Sequence, residues 1–157
     1  MRSTHVTRLL PHAPDELFAL VADVEAYPEF VPWVSSLRTW NRTAPVDGVS
    51  SVDAEAKVGF AMVSEVFATR VRADAGNRVI EVSLLYGPFR RLSNRWEFLS
   101  VPEGTRVEFD IGFEFKSRLL DALLAANLHR AADKLIGCFE ARAMALYGAP
   151  AGAAGAV

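Results

Sequence analysis

Residues 107–148 read VEFDIGFEFKSRLLDALLAANLHRAADKLIGCFEARAMALYG, and the spacing of apolar residues changes once within them. Val107, Phe109, Ile111, Phe113 and Phe115 share one parity, with Glu108, Asp110 and Glu114 on the other. A period of two marks a strand with one buried and one wet face. After Ser117 the period lengthens. Leu120, Leu124, Leu128, Ala131, Leu135, Phe139 and Leu146 lie close to one helical stripe, while Asp121, Arg130, Asp133, Lys134 and Arg142 fall mostly elsewhere. Ser117 suits an N-cap and Gly148 the usual stop. The spacing predicts a single helix of roughly 45 Å, at ~1.5 Å per residue, buried along one face for its whole length.

Working back from this junction, the period of two persists. Leu92, Asn94, Trp96 and Phe98 alternate with Ser93, Arg95 and Glu97, and Ile80, Val82 and Leu84 repeat the pattern. Val52, Ala54, Ala56 and Val58 alternate with Asp53, Glu55 and Lys57, which are expected on the wet face. Turn signals separate the runs at Val46-Asp47-Gly48, Asp74-Ala75-Gly76-Asn77, Gly87-Pro88 and Pro102-Glu103-Gly104. Such short connections make hairpins, so the sheet is antiparallel with one face covered.

A first helix opens at Pro14, with Asp15 and Glu16 at the positive end of its dipole. Its stripe is Leu17, Leu20, Val21 and Val24, and Pro28 ends it. The stretch VADVEAYPEFVPWV, 21–34, then places Tyr27, Phe30 and Trp33 in a proline-broken connection. Large apolar groups on a connection gain little unless they cover something. One long helix does not fill a strongly curved sheet, so these aromatics either line or lid a cavity between sheet and helix, or plug the end of a solid core. Periodicity distinguishes neither.

At 157 residues the chain fits one domain, 1–148, with APAGAAGAV, 149–157, expected as a disordered tail. A hydrophobic share of 51%, a charged share of 23% and a formal net charge of -2 describe a soluble globular protein with no generic attraction to phosphate backbones, so DNA is not an expected partner. One cysteine forms no internal disulfide, and MRSTHVTRLL lacks the apolar run of a secretory signal. The expected compartment is the cytoplasm, with a peripheral station on the inner membrane as the further expectation.

The segments DVEAYPEFVPW (23–33), VGF (58–60), GPFRRLSNRWEF (87–98) and FEFKSRLLDALL (113–124) resemble those of the coenzyme Q-binding START-like family. That family includes the bacterial ribosome-association toxins and belongs to the polyketide cyclase and START superfamily. The resemblance covers nearly everything up to Gly148 and implies an α+β helix-grip (START/Bet v 1-like) fold. In that fold a curved seven-stranded antiparallel sheet wraps a long C-terminal helix around a hydrophobic cavity. It further implies lid positions for Tyr27, Phe30 and Trp33 and wall positions for Trp96 and Phe98. The remaining candidate ligand contacts are Phe60, Phe113, Leu120, Leu124 and Leu128. Members often carry a cysteine directly after the Pro-Trp pair; here Val34 stands there, followed by Ser35 and Ser36, so no role for that thiol carries over.

The search for chemistry is brief. His5, His12 and His129 lack zinc-motif spacing, and no metal or cofactor is expected. Cys138 reads as a buried structural thiol. No phosphate loop, nucleophile elbow or dinucleotide fingerprint is present, and no enzyme activity is expected. Glu65 shares the parity of Val63 and Phe67, so an inward carboxylate is one reading and apolar residues on both faces of that strand the other. Arg90, Arg91 and Arg95, with Lys116 and Arg118, read as a basic surface or as a site for anionic lipid head groups or ribosomal RNA. Three functions follow. The first is a binder of ubiquinone or a related isoprenoid that serves respiratory electron transport as carrier or chaperone. The second is a toxin-like protein that binds the large ribosomal subunit and blocks subunit joining. An aromatase or cyclase ranks last.

Overall fold

The computed structural model describes residues 2–60 and 63–149, the side chains of Phe60 and Val63 excepted. Seven strands and three helices follow one another as β1 (Arg2–Leu10), α1 (Pro14–Ala22), β2 (Val34–Trp40), β3 (Val49–Phe60), β4 (Val63–Asp74), β5 (Val79–Tyr86), β6 (Phe89–Val101), β7 (Gly104–Phe115), α2 (Arg118–Ala125) and α3 (Leu128–Tyr147). A 3₁₀ segment, Val24–Glu29, joins α1 to β2. The strands form one antiparallel sheet in the order β1-β7-β6-β5-β4-β3-β2, a meander whose two ends are closed off by β1 on β7 and β2 on β3. This is the α+β helix-grip architecture that the family resemblance implies, and the alternation of β3 to β7 supplies its antiparallel sheet. The tail expected at 149–157 falls, from Pro150 on, outside the described residues.

The inward parity is as read: Val52, Ala54, Val71, Ile80, Trp96, Phe98, Val107 and Phe109 are buried in one core with Leu17, Leu20, Val21 and Val24. Pro14 opens α1, and the Glu16 carboxylate accepts the Ala13 N–H at 3.1 Å in place of a side-chain cap. The turn signals fall between the strands they were read to separate. At one of them Gly87 has φ +149°, and a Cβ there would lie 2.5 Å from the Phe67 Cβ across the hairpin. Only glycine satisfies both conditions.

The first helix ends at Ala22, short of Val24 and of the stop read at Pro28, because the chain tightens into the 3₁₀ segment that contains both. Two further expectations need correction. The C-terminal helix is not continuous: α2 ends at Ala125 and α3 starts at Leu128. The cause is Asn127, whose side-chain amide donates back to the Leu123 carbonyl at 3.3 Å while its backbone N–H bonds Leu124 O. An asparagine side chain that competes for helix carbonyls favours a boundary over a helix interior. Ser117 caps α2 as read, its Oγ accepting the Leu120 N–H, and Gly148 ends α3 with φ +70°. Burial also fails to run the whole length, since Leu146 is exposed and α2 has no fully buried residue.

Asp53 is the second correction. Expected on the wet face, it points outward from β3 but is only 3% exposed, because Arg70 donates to it at 2.8 and 3.1 Å and Asn41 at 3.1 Å. The Arg70 hydrogen bond holds this carboxyl below the ordinary value of 3.8. A carboxylate with a depressed folded-state pKa contributes its stability fully above the unfolded value and loses it as pH falls through the folded one. Asp53→Asn should therefore cost about 1 to 3 kcal/mol at neutral pH. In thermal melts the gap between variant and wild type should narrow below pH 3.8. Gly87→Ala should destabilise the fold by at least about 2 kcal/mol in denaturant titration, through the strained φ and the clash with Phe67.

Candidate functional site

Phe139 of α3 divides the interior. Its ring is 1% exposed and meets Tyr27, Phe30 and Trp96 edge-on, each with centroids 5.2 Å apart. On one side of it α1 and the second half of α3 pack solidly on the sheet through Leu17, Val21, Ile136 and Ala143. On the other side the sheet curves away from α2 and the start of α3, leaving a cavity of about 680 Å³. Periodicity left cavity and solid core as alternatives. The structure contains both, one at each end.

The cavity wall is mostly apolar. Ala54, Ala56, Val58, Phe67, Val71, Val82, Phe89, Leu92, Ile111, Phe113 and Phe115 come from the sheet, and Leu120, Leu124, Leu128, Ala131 and Leu135 from the two helices. Among the expected contacts, Tyr27, Trp33, Trp96, Phe113, Leu120, Leu124 and Leu128 stand on this wall. Phe30 and Phe98 do not. Phe30 lies behind Tyr27, between Phe139 and the Arg142 guanidinium 5.1 Å from its ring centroid. Phe98 is drawn to the solid end, where it stacks on Trp96 and meets Phe18 of α1. The side chain of Phe60 is outside the described residues.

Tyr27 contributes its ring but not its acidity. The hydroxyl donates to the Val21 carbonyl, and desolvation pushes the phenol far above its usual range. Trp96 is likewise fixed, its indole N–H donating to Asn94 Oδ1 at 2.9 Å while Asn94 Nδ2 donates to the Asp110 carbonyl at 2.8 Å. These locked donors leave rings and apolar faces toward the space.

Few polar groups reach the wall: Glu65 and Thr69 of β4, Asn94 of β6, and Asn127, Arg130 and Lys134 around the α2–α3 break. Glu65 faces inward, as the first of its two readings had it, although β4 also carries apolar residues on both faces, with Phe67 inward and Val66 outward. Arg130 and Lys134, assigned to the wet side of the helix by their spacing, border the cavity because the break turns the first turn of α3 toward its mouth. Sequence periodicity missed them for want of that bend. Glu65 is the only carboxylate on the described wall, and no histidine accompanies it. A lone carboxylate supplies neither an acid–base pair nor an oriented nucleophile.

The remaining candidates for chemistry lie elsewhere. His5, on the outer face of β1, bonds Asp110 at 2.6 Å and Glu108 at 2.5 Å, and both carboxylates hold its pKa above the usual histidine value. His12 is buried and bonds the Gly148 carbonyl at 3.0 Å, tying the end of α3 to the β1–α1 connection. His129 meets Thr4. Among the described residues no group of three or more His, Cys, Asp or Glu is placed to hold a metal. Cys138, expected buried, is half-buried, and desolvation raises its thiol. No helix among the described residues is long and apolar enough to cross a membrane.

Known proteins share this architecture. The solution structure of an 18 kDa protein from Caulobacter crescentus is similar at 60% identity, with a TM-score of 0.80 over 95% of this chain and all of that one. A START superfamily protein from Mycobacterium smegmatis, 20% identical with a TM-score of 0.79, shares the fold. In sequence the chain is 33% identical to the ribosome association toxin RatA of Rickettsia prowazekii over 91% of its own length and 97% of that protein. It is 31% identical to the mitochondrial coenzyme Q-binding protein of Schizosaccharomyces pombe, over 72% and 69% of the two chains. Residues 10–140 match the family described as polyketide cyclase / dehydrase and lipid transport, and the chain belongs to that family.

Proposed function

We propose that the protein binds a hydrophobic isoprenoid ligand, ubiquinone or a close relative, in the cavity between the sheet and the α2–α3 pair, and acts as its carrier or chaperone in electron transport. The observation that carries this is the cavity itself. A space of about 680 Å³ lined predominantly by apolar side chains lies within the roughly 300–1,000 Å³ of small-molecule sites. Each methylene buried there leaves water with a gain of ~0.8 kcal/mol. A bilayer offers the tail the same gain, so retention depends on enclosure, which Tyr27 and Trp33 at one wall and α2 at the other supply. Aromatic rings suit a planar head group, and Glu65, Asn127, Arg130 and Lys134 at the mouth offer hydrogen bonds to its oxygens. The similarity to a coenzyme Q-binding protein supports the ligand class, and the wall's single carboxylate supports binding over catalysis.

A second reading rests on a separate observation. The likeness to the ribosome association toxin runs nearly end to end in both chains, further than the likeness to the quinone binder. On that reading the outer surface binds the large ribosomal subunit and prevents subunit joining.

Two measurements separate these. Mass spectrometry of the organic extract from protein purified without detergent from its native host should show a stoichiometric long-chain quinone. Leu124→Gln, at a half-buried wall position, should weaken quinone binding about tenfold, equivalent to ~1.4 kcal/mol. An empty extract, with no quinone taken from liposomes, sinks the first reading. In sucrose gradients at low salt, protein that never migrates with ribosomal particles sinks the second.

A further inference from the structure

The unpaired positive charge of this protein is not spread over its surface. Of the seventeen lysines and arginines, eleven have an acidic partner within 4.0 Å. The six without one among the described residues are Lys57, Arg90, Lys116, Arg118, Arg130 and Lys134. The strand register places Lys57, Arg90, Lys116 and Arg118 at one end of the sheet, and Arg130 joins them at the start of α3. Phe89 pairs with Phe115, and the Lys116 N–H donates to the Pro88 carbonyl at 2.8 Å, so Arg90, Lys116 and Arg118 flank the β5–β6 turn and the start of α2. Lys57 is opposite Val66, near the β3–β4 end of the same edge. The start of α3, with Arg130, is held there by His129 on Thr4 near the beginning of β1, whereas Lys134 lies a turn further on, beside Asp133, which pairs with Arg8.

The same end carries unpartnered apolar surface. Leu119 is 79% exposed and Leu123 42%, on the face of α2 about 100° round from Leu120 and Leu124, which line the cavity. Leu85, just before the β5–β6 turn, is also exposed, while Tyr86 beside it donates its hydroxyl to the Glu55 carboxylate. A short helix with apolar residues on both faces, beside cations lacking protein partners, has the chemistry of a bilayer interface: leucines enter the acyl boundary while lysines and arginines meet lipid phosphates.

We infer that the α2 end of the molecule, Leu119 and Leu123 ringed by Arg90, Lys116, Arg118 and Arg130, is a docking face for an anionic lipid bilayer and sets the cavity mouth against the membrane. This gives the cavity reading its loading route, and it rests on that reading only for its purpose. RNA would use the cations but has no use for Leu119, which favours the bilayer.

The test is flotation of the full chain with phosphatidylcholine vesicles, with and without phosphatidylglycerol, across a salt series. Binding should require the anionic lipid and fall with salt. The pair Lys116→Glu and Arg118→Glu should lower partitioning at least about 25-fold, roughly fivefold for each basic residue lost. The pair Leu119→Ser and Leu123→Ser should lower it about tenfold. Leu146→Ser, an exposed leucine at the far end of α3, should leave it unchanged, as should all variants the thermal unfolding temperature. Absence of anionic-vesicle binding at low salt overturns the proposal, as does binding that both pairs leave intact. So does loss, in the charge pair, of binding to large ribosomal subunits where vesicles bind no form of the protein. An empty organic extract beside intact vesicle binding refutes the cavity reading alone, and a loaded cavity without vesicle binding refutes the docking face alone.

Discussion

The interior of this protein is organised around the edge-to-face contacts of Phe139 with Tyr27, Phe30 and Trp96. Four aromatic rings from α3, the connection after α1 and the centre of the sheet meet at one point. Each such pair adds about 0.5–1.5 kcal/mol beyond its buried area, and a cluster fixes direction as well as distance. It clamps α3 to the sheet at mid-length, beside the buried Ala132, Ile136 and Ala143. With α1 packed on the far side, the sheet has a solid end and a hollow one.

The hollow end follows from covering a wide concave surface with too little helix. Asn127 breaks the helix, so α2 departs from the axis of α3 and spans the opening without burying any residue completely. An element with so few buried contacts opens locally at low free energy compared with the core. Of the elements around the cavity, α2 has no fully buried residue, so it is the wall with the weakest anchorage.

Charge is distributed to match. On the outer face, Asp53 is satisfied by Arg70 and Asn41, His5 by Asp110 and Glu108, and most arginines by neighbouring carboxylates. Within the cavity nearly all polar capacity is removed: Tyr27 and Trp96 spend their donors on Val21 and Asn94. Among the described residues Glu65 on the cavity wall has no ion-pair partner, and neither do Arg90, Lys116, Arg118 and Arg130 at the α2 end. The protein is thus mostly apolar in its cavity, neutralised along its sheet and positive at the α2 end.

Much of this was legible in the sequence. Alternation from Val52 to Phe115, the turn residues at Gly48, Gly76, Gly87 and Gly104, and the Ser117 cap determined the antiparallel sheet, its hairpins and the helix that follows, because these depend on local dihedrals and a period of two or 3.6. Parity and helical spacing put Trp96, Phe113, Leu120, Leu124 and Leu128 on inward faces, and the family resemblance implied that such positions line a cavity. Only the tertiary structure decided that Phe30 and Phe98 leave the wall for Phe139 and Phe18, that Asn127 breaks the helix and turns Arg130 and Lys134 to the mouth, and that Asp53 is covered. Each depends on how far the sheet curves and which side chains from distant segments meet across it. A void and a filled core share one hydrophobic pattern; the difference is a volume, and volume exists only once the elements are packed.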